Sequence, residues 1–269
     1  MTLFASLGMY DLPELASATN AWWTGLHRHF AAQGLRDLPT VLNRAGDPVD
    51  RLKTEGLLFA QTCGFPLTHK LRDHVQLLAT PRYTVPGCAG ATYVSWIVVR
   101  QDDPAKTPAD LRGRRVAYND DGSQSGYNTL RAMLAPLAEG GRFLGATIES
   151  GAHRRSLGMV KAGEADVAAI DCVTFSLIAR AAPEEVQGIR VLCASGTAPG
   201  LPYVTGSSTA SGDVQRLQDG IAAAFADPVL AETRAALALD GCEILPRAAY
   251  EVIPAMESAA IAAGYPRLA

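Results

Sequence analysis

The chain has 269 residues, 48% of them apolar, and its 24 Lys and Arg against 27 Asp and Glu leave a formal net charge of −3. This near balance of charges does not indicate a basic surface that would bind nucleic acid or an anionic membrane. A membrane-spanning helix needs about 18 consecutive apolar residues, and the sequence has no run of that length. The composition therefore excludes membrane-embedded, fibrous, disordered and disulfide-framework proteins, and the length allows one large domain or two smaller ones.

Short apolar runs alternate with amphipathic helices along most of the chain, a pattern typical of an α/β fold with mostly parallel sheets. The first helix is predicted from about Pro13 to Gln33, with Asp11 as N-cap and Gly34 as stop. The predicted strands are 3–7, 57–61, 75–80, 93–100, 115–118, 146–149, 167–170 and 190–194. The other predicted helices are 128–137, 154–161, 172–180, 213–225, 228–239 and 247–263.

The first residues lack the features of an export signal. No Lys or Arg precedes Arg28, whereas a secretory signal needs a basic start before its apolar stretch. The opening residues instead predict a buried strand. Both a cytoplasmic protein and one whose export signal has been removed remain open.

Two extended stretches, 93–100 and 200–206, suggest a chain that leaves one domain and later returns to it. The sequence therefore predicts a discontinuous lobe 1 of residues 1–99 plus 198–269, with lobe 2 of residues 100–197 inserted.

Five cysteines show neither a CxxC motif nor metal-ligand spacing, so no metal site is predicted. Cys63 and Cys88 each lie beside Gly in a turn-like setting and could face each other in one lobe. A disulfide between them would imply an oxidising compartment. Cys172, Cys193 and Cys242 are predicted to be small buried hydrophobic residues.

The most informative segment, 118–128, connects a strand to a helix and contains Ser123, Gln124, Ser125 and Gly126. A helix start carries unpaired amides and a partial positive charge, and small residues let an oxyanion approach them. We expect Ser123, Ser125 and the amides of Ser125, Gly126 and Tyr127 to hold an anion. The alternative is a simple capping loop; a nucleotide P-loop is excluded because its Lys is missing.

His153 and Asp171 each follow a predicted strand and begin a helix, so they are expected at the same sheet edge as the serine turn. A His at a helix start can donate to an oxyanion, whereas Asp accepts from a protonated oxygen. Together they would select a monoprotonated oxyanion such as a phosphate-like group. Taken singly, each is better explained as a cap or surface residue.

Catalysis is not predicted. Ser123, His153 and Asp171 could form a nucleophilic triad on paper, but a Gly-x-Ser-x-Gly elbow would need Ser where Gln124 stands.

The ordered set of segments resembles the phosphate, phosphite and phosphonate substrate-binding proteins of ABC transporters. The segments that carry this resemblance are 61–67, 93–100, 109–113, 123–126, 150–153 and 165–171. The resemblance implies a two-lobed type II periplasmic-binding-protein fold that binds a small anion between its lobes. It also implies a permease partner, a periplasmic location and no cofactor.

The resemblance also implies roles for individual residues. Ser123, Gln124 and Ser125 match the anion-binding turn, and His153 and Asp171 match its partners in the second lobe. Tyr93 matches the crossover aromatic residue that covers the ligand. Tyr10, Gln61 and Thr62 are looser matches to residues of the opposing lobe. The family often has Thr where this chain has Gln124, which could reach an organic substituent.

Three alternatives stay open at this point. One is an enzyme on the same fold that acts on a pyrimidine or thiamine-like compound, and another is a cytoplasmic ligand sensor. The third is a different ligand, an amino acid or a sulfonate. An amino acid normally calls for a basic clamp, and only Arg82, Arg154 and Arg155 are candidates near the predicted site.

Overall fold

The computed structural model describes residues 2–269 as two compact α/β units. Its strands are β1 (Phe4–Ser6), β2 (Leu57–Gln61), β3 (Val75–Tyr83), β4 (Cys88–Ala89), β5 (Thr92–Tyr93), β6 (Ser95–Arg100), β7 (Arg115–Tyr118), β8 (Ala146–Glu149), β9 (Val167–Asp171), β10 (Ile189–Ala194), β11 (Ala198–Pro199), β12 (Tyr203–Gly206) and β13 (Leu239–Glu243). A small sheet has the order β11-β5-β4.

The α-helices are α1 (Ala16–Ala32), α2 (Pro48–Arg51), α3 (Gly64–Thr68), α4 (Thr129–Leu134), α5 (His153–Ala162), α6 (Cys172–Ala181), α7 (Pro183–Val186), α8 (Ser211–Ala226), α9 (Ala231–Ala236) and α10 (Val252–Ala262). Short 3₁₀ turns occupy Pro13–Leu15, Pro108–Leu111, Ala135–Leu137, Pro228–Leu230 and Arg247–Glu251, and a π turn occupies Gln124–Asn128. Among the helices of residues 2–269, none has the length and apolarity needed to cross a bilayer.

The first unit comprises residues 2–84, 89–91 and 199–249 and contains the sheet β1-β2-β12-β3-β13. Strands β1 and β2 are parallel, whereas β12 is antiparallel to β2 and β3. The predicted apolar stripe of α1 buries Trp22, Leu26 and Phe30. Phe30 meets Phe59 of β2 with ring centroids 5.4 Å apart, so the stripe anchors α1 to this sheet.

The second unit comprises residues 85–88, 92–198 and 250–269 and contains the sheet β10-β6-β9-β7-β8. Strands β9, β7 and β8 run parallel, and β6 is antiparallel to β9 and β10. The α/β class is therefore confirmed, but both sheets are mixed rather than mostly parallel. The extended stretches β6 and β12 enter their sheets in the antiparallel direction.

The units differ from the predicted lobes in three segments, 85–88, 92–99 and 250–269, and at residue 198, all of which belong to the second unit. Residues 92–99 belong to the second unit because β6 pairs with β9 and β10. Residues 250–269 also belong there, since Asn128 Nδ2 donates to the Ile253 carbonyl at 3.1 Å and buried Arg131 donates to Glu257 Oε1 at 3.0 Å. The hydropathy pattern of a single segment does not show which distant segment it will contact, so these assignments could not be predicted from the sequence.

Two local predictions need correction. Asp11 does not cap the first helix, because its carboxylate binds the Arg44 guanidinium and the helix starts through the turn Pro13–Leu15. The predicted helix 228–239 ends at Ala236, and residues from Leu239 onward form β13 against β3.

The sequence left a disulfide between Cys63 and Cys88 open, and no such bond is formed within residues 2–269. The two residues belong to different units, so they do not share a lobe. Cys63 is the N-cap residue of α3, whereas the Cys88 sulfur lies 3.6 Å from the sulfur of Cys172.

Candidate functional site

The second unit places three predicted site segments at one edge of its sheet. Strands β8 and β9 are both parallel to β7, which lies between them. The serine turn follows β7, His153 follows β8, and Asp171 is the last residue of β9. This is the edge at which α/β proteins bind ligands. The grouping that the sequence predicted from strand order is therefore present within this unit.

Ser125 and His153 are in direct contact. Ser125 Oγ lies 2.8 Å from His153 Nε2, and Ser125 is only 4% exposed. Gly126 allows this approach, since a Cβ there would lie 1.8 Å from Asn119 Oδ1 and 3.2 Å from His153 Cε1. Asn119 was not predicted as a site residue, because nothing in its local sequence distinguishes it from an ordinary turn residue.

His153 is uncharged at neutral pH. Burial lowers the pKa of its imidazole from 6.5 to about 4, and the Ala169 backbone opposes this in part. The residue as a whole is half-buried, but Nδ1 is shut off from solvent. The imidazole therefore carries no positive charge of its own at neutral pH.

Ser123 caps the helical turn that follows it. Its Oγ accepts from the Gly126 amide at 3.0 Å, and its backbone is extended as N-caps require. The Gly126 amide, predicted to bind the anion, is therefore occupied by Ser123. The hydroxyl proton of Ser123 can still be donated, since a hydroxyl both donates and accepts.

The Gln124 side chain faces the interior of the second unit. Its Nε2 donates to Met256 Sδ at 3.3 Å, and its Oε1 accepts from Asn128 Nδ2 at 2.7 Å. This 1% exposed side chain joins the turn to α10, and a contact between Gln124 and an organic substituent stays a prediction.

The Tyr127 side chain also packs internally. Its ring lies 5.2 Å from that of Tyr118, and its hydroxyl accepts from the Leu268 amide at 3.3 Å. Only the backbone of Tyr127 remains a candidate for ligand contact.

Asp171 is the N-cap of α6. Its Oδ1 accepts from the amides of Val173 and Thr174 at 2.8 and 2.9 Å, and the residue is 1% exposed. These two amides are therefore satisfied by the protein itself. These hydrogen bonds are those of a helix cap, the role expected of Asp171 when it is taken singly. A ligand-binding role for Asp171 stays a prediction.

A small pocket of the second unit lies between the serine turn and the segments 93–95 and 195–198. Tyr93, Ser95, Gln124, Ser125 and Ser195 are among its lining residues. Ser195, which the sequence did not single out, accepts from the Ser95 amide at 2.8 Å. Asp171 is the register partner of Ser95, which places its strand beside this pocket.

The predicted residues of the first unit form a separate group. Gln61 Nε2 donates to the Tyr83 hydroxyl and to the Leu201 carbonyl, both at 3.0 Å, and the Tyr10 ring packs edge-on against Tyr83 at 5.2 Å. The Thr62 amide donates to the Pro202 carbonyl at 3.1 Å. Tyr10 and Gln61 line an otherwise largely apolar pocket with Trp22, Tyr83, Tyr203, Leu7, Thr19, Leu237 and Leu239.

The residues of 2–269 contain no cluster of three or more His, Cys, Asp or Glu side chains that could hold a metal ion. The contact between Ser125 and His153 has a histidine whose pKa of about 4 is far below the range that suits a general base at neutral pH. What the site offers is hydroxyl and amide donors at an edge of the sheet that also carries the Asp171 carboxylate.

Comparison with known families gives a match over most of the chain. The family described as "ABC transporter, phosphonate, periplasmic substrate-binding protein" matches residues 49–248. Among curated protein sequences, none matches.

Solved structures similar to this chain share its fold at low sequence identity. A binding protein component of an ABC phosphonate transporter from Pseudomonas aeruginosa has a TM-score of 0.76 and 14% identity, over 97% of this chain and 87% of that one. PhnD1 from Prochlorococcus marinus, in complex with methylphosphonate, has a TM-score of 0.75 and 11% identity, over 96% and 97%. A Xanthomonas citri protein bound to ATP has a TM-score of 0.72 and 15% identity, over 98% of both chains. The predicted two-lobed type II fold is thereby confirmed.

Proposed function

Because the chain belongs to the family of periplasmic substrate-binding proteins of phosphonate ABC transporters, we propose that it binds a small phosphorus oxyanion through the Ser123–Ser125 turn. A solute-binding role follows from the family. The choice of phosphonate, phosphite or phosphate and the residues that bind it are the proposal.

The contact between Ser125 and His153 carries the proposal. A hydroxyl has one proton, so Ser125 can donate to an anion only if His153 Nε2 carries a proton and donates to Ser125 Oγ. A neutral imidazole can do this without adding charge. His153 then positions Ser125, which differs from the direct contact to the anion expected from the sequence.

Two further features suit an anion. Residues 118–128 contain no Lys or Arg, so hydroxyl and amide donors at a helix start take the place of a cationic side chain. Ser123 stands at the same turn with its hydroxyl proton available for donation. Neutral donors favour a small anion of limited charge over one that needs full neutralisation.

The other predicted contacts remain part of the proposal. Tyr93 shares the pocket of Ser125, and Asp171 borders it through its strand partner Ser95. Tyr10, Gln61 and Thr62 of the first unit stay predicted ligand contacts. We assign no catalytic role to any of these residues.

Family membership also supports a proposal for the partner protein and the cellular location. The family serves ABC transporters, so we propose an ABC permease as the partner and the periplasm as the location.

The test is isothermal titration calorimetry of the purified protein against methylphosphonate, phosphite and inorganic phosphate. Sulfate, an α-amino acid and ATP serve as comparison ligands, the last because one structural neighbour was solved with it. Saturable binding of at least one phosphorus oxyanion, tighter than sulfate, is expected. Binding only to the amino acid, or to none of the three phosphorus oxyanions, would overturn the proposed ligand class.

A further inference from the structure

Two cysteines of the second unit lie side by side although 84 positions separate them in the chain. Cys88 Sγ is 3.6 Å from Cys172 Sγ. A disulfide bond is about 2.05 Å long, so the two sulfurs would have to approach by roughly 1.5 Å. Side-chain rotation covers such a distance if the backbones are held close together.

The backbone holds the two residues in place through Val94. The Val94 amide donates to the Gly87 carbonyl at 3.1 Å, and the Cys172 amide donates to the Val94 carbonyl at 3.2 Å. Gly87 adopts φ +93°, and a Cβ there would lie 2.9 Å from Cys172 Cβ. Any larger residue would separate the two segments, so glycine permits this close approach.

We propose that Cys88 and Cys172 form an intramolecular disulfide when the protein meets an oxidising thiol–disulfide couple such as glutathione and its disulfide. This redox site is independent of the ligand assignment above. Because Cys172 directly follows Asp171, the bond would tie the first turn of α6 to residues 85–88.

The environments of the two thiols set the order of the reaction. Cys88 is half-buried and reachable, whereas Cys172 is fully buried. The hydrogen bond with Cys88, burial and the Asp171 charge all raise the pKa of the Cys172 thiol. Cys88 is therefore the residue that attacks the external disulfide.

The exchange balances in two steps. The Cys88 thiol loses its proton and its sulfur attacks glutathione disulfide, which gives a mixed disulfide and releases one glutathione thiol. Cys172 then loses its proton and attacks the Cys88 sulfur, which releases the second glutathione thiol. Two protein thiols are oxidised and one external disulfide is reduced to two thiols. The second step should accelerate as pH rises, because it needs the Cys172 thiolate.

The experiment equilibrates the wild-type protein in glutathione buffers of increasing oxidised fraction, blocks remaining thiols by alkylation and maps the peptides by mass spectrometry. A peptide pair linked through Cys88 and Cys172 is expected, with two hydrogen atoms lost from the intact mass. The Cys193→Ser protein should form the same linkage. In Cys172→Ser, the mixed disulfide at Cys88 should accumulate instead.

Three results would overturn the proposal: reduced Cys88 and Cys172 in the most oxidising buffer, a lasting mixed disulfide at Cys88 in wild type, or a linkage through another cysteine. These outcomes are read from the wild-type protein, so they do not depend on the folding of a variant. The oxidised form should also melt at a higher temperature than the reduced form, since the bond closes a long loop. An oxidised form that melts lower would show that the native geometry does not accommodate the bond.

Discussion

The buried imidazole of His153 should make the protein less stable as the pH falls from 7.5 to 5. Its pKa is about 4 in the folded chain, against 6.5 for an unperturbed histidine. Between these values the unfolded chain binds a proton that the folded chain does not, so the free energy of unfolding decreases as pH decreases. At about 1.4 kcal/mol per pH unit, the loss reaches about 2 kcal/mol at pH 5.

The His153→Gln variant isolates this contribution. Glutamine does not titrate, and its amide group can still donate to Ser125 Oγ. Urea unfolding followed by circular dichroism at pH 7.5 and pH 5 should show that the variant loses about 2 kcal/mol less than wild type over this interval. A control, His74→Gln, changes an exposed histidine and should keep the wild-type pH dependence. Equal losses in wild type and His153→Gln would refute the buried, neutral imidazole.

Further predictions concern Gly126 and Asp171. Gly126→Ala should cost roughly 1–3 kcal/mol, because its methyl group would overlap Asn119, and thermal melts should show this loss. Gly158→Ala in α5 is the matched control: no atom lies within 4 Å of its added Cβ, so a gain of about 0.5–1 kcal/mol is expected, and a loss as large as that of Gly126→Ala would contradict the packing argument. Asp171→Ala should cost about 1 kcal/mol in chemical unfolding through loss of the cap. Asp171→Asn should preserve the cap while removing the charge, so calorimetry of that variant with methylphosphonate reports on the carboxylate alone; affinity equal to wild type would remove Asp171 from the binding residues.

The grouping of Ser125 and His153 could be predicted from the sequence because it depends on local signals. Strands were predicted ahead of the serine turn (β7) and ahead of His153 (β8), and residues that follow neighbouring parallel strands share one sheet edge. The helix-start chemistry of Ser123 was equally visible, since Ser at such a position is a common N-cap.

The orientation of individual side chains could not be predicted in the same way. Gln124 and Tyr127 stand in the serine turn, yet Met256 and Leu268 draw their side chains into the interior of the second unit. These partners lie more than a hundred positions away in the chain. Neither the periodicity nor the composition of the turn indicates a contact with residues so distant in the chain.

The cysteines illustrate the same limit. Cys63 and Cys88 each lie beside a glycine in a turn-like segment, so the sequence suggested these two as the cysteines that could face each other. The structure instead brings Cys88 to Cys172 through the hydrogen bonds of Val94, and this register depends on how β6 pairs with β9. A disulfide partner is decided by strand pairing rather than by local sequence.

The most direct test of the proposed anion site is the affinity of Ser125→Ala for methylphosphonate, measured by calorimetry beside wild type and the exposed control Ser207→Ala. A hydrogen bond to a charged group contributes about 1.5–3 kcal/mol, so removal of the Ser125 hydroxyl should weaken binding roughly 10- to 150-fold. Ser207→Ala should bind like wild type. If Ser125→Ala, correctly folded by circular dichroism, binds methylphosphonate within twofold of wild type, the Ser125 hydroxyl does not hold the anion.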